Sequence, residues 1–212
     1  AQNLIPVRQC LDFVDHRGLL PVMVDGGSTS QFPKTVQWAK SSPASFALLL
    51  EKLTTVLIDY VKMQARSGVD AIQIFDSWNA LCPDSHVYDW SLKWIDQIAK
   101  EVSEQVPVIL YAKAPSERLR LFSKSKVSGI SVDHKTDLKF ARESLPSAFT
   151  LQGNLDPALL ESEPDTVKNA TLELLNKMKG DSGHILNLGH GIRPQAKIEC
   201  MHALVQTVRD FS

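Results

Sequence analysis

From residue 69 onward the chain alternates between short apolar runs rich in β-branched residues and stretches whose apolar positions recur at helical spacing. The runs at 71–75, 106–111, 129–132, 149–152 and 184–188 read as strands. A run at 19–24, closing in Asp25-Gly26-Gly27, reads as a sixth strand or the remnant of one. Residues 45–66 carry Phe46, Leu49, Leu50, Leu53, Leu57, Tyr60 and Val61 near helical spacing, and Gly68 follows as a stop. Trp90, Ile95, Ile98 and Val102 mark another helix, Val167, Leu172, Leu175 and Met178 a third, and Ile198, Met201, Leu204, Val205 and Val208 the last. Val106-Pro107-Val108-Ile109-Leu110 is almost unbroken by polar residues, as a parallel strand covered on both faces requires.

Strand followed by helix, repeated, predicts an α/β fold of the (β/α)8 TIM-barrel type. A closed barrel takes eight strands in about 250 residues. The 212 residues show five or six, so the barrel is expected to be incomplete at its N-terminal side unless that segment hides poorly patterned strands. With no low-complexity linker or charge block, residues 1–212 read as a single barrel-type domain.

Composition narrows the functions without choosing one. Lysine and arginine number 23 against 24 acidic residues, which excludes the broad positive field behind nonspecific nucleic-acid binding, so an anionic ligand must be held by local groups. No apolar run approaches the ~20 residues that span a bilayer. Residues 1–6 show no basic region leading into an apolar core, so no secretory signal is expected. Cys10, Cys82 and Cys200 are odd in number and far apart, which argues against a disulfide framework and predicts a reducing, cytosol-like compartment.

In such barrels the chemistry sits at the C-terminal strand tips, which here read Phe75-Asp76-Ser77-Trp78, Tyr111-Ala112-Lys113, Asp133-His134, Gln152-Gly153-Asn154 and Gly189-His190-Gly191. Strand alternation places Gln73, Phe75 and Ser77 on one face and Asp76 and Trp78 on the other, and likewise pairs Leu188 with His190. His190, between two glycines, is either a ligand-contacting imidazole or a ring bonded to a neighbouring loop. Ser77 lacks the surroundings of a nucleophile; it either bonds a ligand or ends its strand by bonding its own backbone. Asp76 is a general base or an ion-pair partner, with the structural role favoured. Asn154 and Asp156 read mainly as local caps, and Arg193 as a solvated arginine or a carboxylate clamp.

Metal and nucleotide signals are weak. The six histidines form no HxH or HxxxH pair, Cys82 and His86 are separated by a proline turn, and Gly26-Gly27 lacks a phosphate-loop context.

Taken in series, Ile74-Phe75-Asp76-Ser77-Trp78, Val106-Pro107-Val108-Ile109-Leu110-Tyr111, Gln152-Gly153-Asn154-Leu155-Asp156-Pro157 and Asn187-Leu188-Gly189-His190-Gly191-Ile192 resemble the motifs of the uroporphyrinogen decarboxylase family. Met23-Val24-Asp25-Gly26-Gly27-Ser28 is similar to its segment leading into a long helix, and the resemblance covers about residues 19–211. It implies a cofactor-free barrel enzyme, a homodimer in the cytoplasm or, alternatively, the plastid stroma. That enzyme removes the acetate carboxyls of uroporphyrinogen to give coproporphyrinogen in porphyrin, heme or chlorophyll synthesis. The same resemblance makes Phe75 an apolar wall of the pocket and Ser77 and His190 substrate-binding groups. It assigns no catalytic acid and no metal within these residues. The family's Arg-rich P-x-W-x-M-R-Q-A-G-R segment is absent, its glycine-rich loop after Tyr111 reads Lys113-Ala114-Pro115, and the tryptophan that commonly follows the aspartate at Asp133 is His134. Two further readings remain. One is a zinc-dependent corrinoid or thiol methyltransferase of the same superfamily, although Ala112, Lys113 and His190 stand where its ligands would be. The other is a tetrapyrrole-binding relative without turnover.

Overall fold

The computed structural model describes residues 10–15, 23–25 and 31–211, with the backbone alone for 10–15. They fall into two compact units, one within residues 7–130 and one within 131–212.

In the first unit, β1 (Cys10–Asp15) pairs in parallel with β2 (Ala71–Asp76), from Cys10 beside Ala71 to Phe13 beside Ile74, with a register shift before Asp15. This strand lies upstream of the expected one; residues 19–22 are outside the described set, and 23–25 are helical. β2 pairs in parallel with β3 (Val108–Ala112), Ile72 beside Val108 through Asp76 beside Ala112. Val106 and Pro107, expected in β3, precede it. Pro107 has no N–H to give a ladder, but its carbonyl accepts from Ile72 N at 3.0 Å. All of β2 except half-buried Phe75 is buried, Gln73 and Asp76 included, as a parallel strand covered on both faces is.

Helices α1 (Pro33–Ser41) and α2 (Pro43–Arg66) precede β2, each opening on a proline whose missing N–H costs a first helical turn nothing. The carboxylate of Asp25 caps α1, accepting from Lys34 N at 3.1 Å and Thr35 N at 3.0 Å. On α2 the buried stripe is Phe46, Leu50, Thr54, Leu57, Val61 and Gln64. Tyr60, expected within it, is exposed, because it lies a residue off the stripe's axis. Gly68, at φ +84, ends the run in the left-handed region that suits glycine. A π-helical turn over Tyr88–Leu92 then leads into α3 (Lys93–Val102), which buries Trp94, Ile95, Ile98, Ala99 and Val102. β4 (Gly129–Ser131) begins in this unit, where Ser128 N donates to Val108 O at 2.8 Å.

In the second unit, Val132 N donates to Gln152 O at 2.9 Å, tying the residues after β4 to β5 (Thr150–Gln152). β5 pairs in parallel with β6 (His184–Ile185), Leu151 beside His184, and a single bridge from Leu155 to Leu188 extends the pairing. Before β5 comes α4 (Leu138–Ser144), capped by Asp137 accepting from Phe140 N at 2.9 Å; α5 (Pro164–Lys177) lies between β5 and β6, and α6 (Ile198–Asp210) follows β6. Leu160, Val167, Cys200 and Leu204, with Leu155, form the core beneath α5 and α6. Among the described residues no helix is long and apolar enough to cross a membrane.

The exit of β2 is fixed by a buried polar network. Asp76 is 0% exposed, and its Oδ2 accepts from Asn79 Nδ2 at 2.7 Å and Ser91 Oγ at 2.5 Å. Asn79 in turn accepts from Arg118 Nη1 through its backbone carbonyl and, at 2.9 Å, its Oδ1. Arg118 completes its bonds on Asp84, with Nε and Nη2 at 2.8 and 2.7 Å from Oδ1. The Asp84 carboxylate is 71% exposed, so that pair contributes little; the cost of losing Arg118 comes from stranding the buried Asn79 acceptors. Arg118→Met is expected to lower stability by about 2 kcal/mol in urea unfolding, whereas Asp84→Ala should change it by under about 1 kcal/mol.

Candidate functional site

Two of the sequence-predicted binding residues stand together where β2 ends. Phe75 is half-buried, its ring centroid 5.7 Å from that of Tyr111 on the neighbouring strand. Ser77 is also half-buried, and among the described residues its hydroxyl has no hydrogen-bond partner, so it does not end the strand by bonding its own backbone. Asp76 beside it takes the structural role that the sequence reading favoured. Trp78 sets its ring edge-on to Phe32 at 4.8 Å. Arg118, which no local pattern signals, holds this exit in place from 39 residues away.

The third residue, His190, belongs to the second unit, where it is exposed and its ring has no hydrogen-bond partner among the described residues. Its position is set by what precedes it. Gly189 N donates to Leu155 O at 2.8 Å. A Cβ on Gly189 would sit 2.1 Å from His134 N and 2.6 Å from its Cα, so only glycine fits. His134 itself is half-buried, with Nδ1 sealed from solvent and unbonded among the described residues.

The backbone under Gly189 is held by polar side chains. Asp133 Oδ1 accepts from Lys135 N at 3.1 Å, Thr136 N at 3.0 Å and Thr136 Oγ1 at 2.9 Å, closing a turn. Asn154 Nδ2 donates to Asp133 O at 2.7 Å and Thr136 O at 2.6 Å. Asn154 is therefore structural, as expected, but its partners lie in a distant loop rather than its own turn. Asp156 is the local cap, accepting from Ala158 N at 2.9 Å. Gly153, at φ +140, lets this chain pass close to Val132 O.

Arg193 is an exposed arginine 3.3 Å from Glu161. The Cys82 thiol lies 3.5 Å from Pro83 O, whereas the His86 ring stacks on Trp90 at 4.8 Å, so each has a separate occupation. Among the described residues no three His, Cys, Asp or Glu side chains are grouped to hold a metal ion.

At the start of β6, His184 Nε2 is 2.8 Å from Gly153 O, and since a carbonyl only accepts, that nitrogen carries the proton. Burial pushes its imidazole below the usual histidine range, against the opposing pull of that bond and of the Asp181 carboxylate; the Arg142 charge adds to the lowering.

The uroporphyrinogen decarboxylase family model matches residues 18–211. The uroporphyrinogen decarboxylase of Ruthia magnifica is 33% identical over 199 residues, covering 92% of this chain and 57% of the relative. That of Coxiella burnetii (strain RSA 493) is 36% identical over 195 residues, covering 90% and 54%. The chain thus spans about half the length of the curated relatives it matches. Among solved structures, a methyltransferase from Methanosarcina mazei superposes with TM-score 0.76 at 23% identity over 90% of this chain and 56% of its own. A B12-independent methionine synthase from a Shewanella species does so at 0.58 and 15%, covering 80% and 57%. These structural likenesses establish the fold alone: α/β, of the (β/α) barrel type, and incomplete in this chain.

Two measurements follow from the geometry. Gly189→Ala forces main chain against main chain and should cost about 2–4 kcal/mol in thermal or urea unfolding. For His184 the folded value is depressed, so its contribution is present above the unfolded value of about 6.5 and lost as pH falls below it. The melting temperature is therefore expected to drop between about pH 7.5 and 5.5, and to drop less in His184→Gln, whose amide can still donate to Gly153 O.

Proposed function

The chain belongs to the uroporphyrinogen decarboxylase family, and on that premise we propose that it supplies the substrate-binding rim of a cofactor-independent decarboxylase converting uroporphyrinogen to coproporphyrinogen. The observation that carries the proposal is the division of polar groups where β2 ends. Asp76, Asn79, Ser91 and Arg118 bond one another, while the Ser77 hydroxyl stays unbonded among the described residues beside the half-buried Phe75 ring. Buried polar groups bonded to one another are scaffold; a spare hydroxyl against an aromatic wall suits a flat substrate with polar edges.

The chemistry asks for such a wall and for donors around it. A pyrrole ring carbon takes up a proton, the bond to the acetate carboxyl breaks, and CO2 leaves as the electron pair neutralises the protonated ring. Protonation of the exocyclic methylene, with loss of the ring proton, leaves a methyl group. Apolar surroundings at Phe75 disfavour the charged carboxylate relative to neutral CO2, and a hydrogen bond from Ser77 holds a polar group of the macrocycle, while His190 takes the substrate-binding role that the family resemblance implies for it. The proposal extends to residues 1–212 as one barrel-type domain, to a homodimer, and to a cytoplasmic or plastid stromal location.

Anaerobic incubation of the purified chain with uroporphyrinogen is expected to yield coproporphyrinogen and CO2 without added metal or nucleotide. Ser77→Ala and His190→Ala are each expected to lower kcat/KM by about tenfold or more, the loss of one hydrogen bond to a charged or polar substrate group. Porphyrin binding without any product would move the assignment to a tetrapyrrole-binding relative. Absence of both binding and product would refute the proposal.

A further inference from the structure

We infer that Lys113 is a carboxylate-binding residue of the substrate rim. The inference rests on the decarboxylase reading and names a contact which that reading leaves open. The parallel register of β2 and β3 runs Phe75 beside Tyr111 and ends with Asp76 beside Ala112, so Ser77 and Lys113 are each the first residue past the paired strands. Lys113 N donates to Asp76 O at 3.1 Å, and Lys113 O accepts from Ala80 N at 2.9 Å, beyond the turn that carries Ser77. Lys113 is thus held through its backbone on both sides by the segment carrying Ser77.

Phe75 and Tyr111, paired on the two strands, set their rings 5.7 Å apart on one face of the sheet. Along that face the environment opens from buried Tyr111 to exposed Lys113. Its ammonium has no hydrogen-bond or ion-pair partner among the described residues. Arg118, the other cation of this exit, is 9% exposed and already bonded to Asn79 and Asp84, so it has no donor pair to offer a ligand. With the chain's overall charge near balance, an anionic substrate must be gripped by individual cations, and Lys113 is one whose backbone is bonded to Asp76 and Ala80, on either side of Ser77.

The group recognised is a carboxylate on the rim of a flat macrocycle, and the probe is the octacarboxylate uroporphyrin III, followed by quenching of its fluorescence on titration with the whole chain. Lys113→Met is expected to weaken binding about tenfold and to flatten its salt dependence, while Lys113→Arg retains binding to within about threefold. The loss should shrink with the tetracarboxylate coproporphyrin III, which a merely structural role would not produce. Because Lys113 is tied in by its backbone, the melting temperature should be unchanged in all three proteins. Binding that is equal in Lys113→Met and the unaltered chain, with Ser77→Ala weakened, overturns this inference and leaves the decarboxylase reading standing. Failure of the unaltered chain to bind uroporphyrin overturns this inference, and together with absence of coproporphyrinogen from uroporphyrinogen it overturns the decarboxylase reading as well.

Discussion

A carboxylate sealed from water calls for donors, and Asp76 imposes that demand, met at Oδ2 by Asn79 and Ser91, where β2 leaves the core of its unit. Meeting it draws together four stretches of chain: the strand exit itself, the turn carrying Asn79, the π-helical turn carrying Ser91 and, through Asn79, the helical segment of Arg118. Their effect is to fix the residues on either side of Asp76, so that Phe75 and Ser77 occupy defined places without spending their own polar atoms on holding them. The second unit solves the equivalent problem with neutral groups, where Asn154 clamps two carbonyls of the Asp133 turn.

The strands of the fold were legible wherever burial on both faces made them nearly continuous apolar runs, as in β2 and β3. β1 was not, because Asp12 and Asp15 break the run over Cys10–Asp15 and its pairing partner lies sixty residues downstream. β6 proved shorter than its apolar run, since beyond Ile185 the chain meets β5's continuation only at the Leu155 to Leu188 bridge. Length alone does not decide how far a ladder extends.

For the site, position at a strand tip and residue type marked Ser77 and His190 as candidates, and the family resemblance added Phe75 and proposed substrate-binding roles for all three. Sequence could not show which polar neighbours were already committed. Asp76 and Ser77 are adjacent and equally suited to chemistry on paper. Only the tertiary partners of Asp76, donated from Asn79 and Ser91, separate scaffold from spare hydroxyl. Arg118 escaped notice for the same reason, as its meaning depends on a carbonyl and an amide 39 residues away.

The contact at Gly189 is between main chains, with the nitrogen and Cα of residue 134 forming the surface on which the loop rests. A surface made of backbone is indifferent to what side chain grows from it. Residue 134 is therefore a place where substitution can alter the chemistry beside His190 while the loop keeps its seat.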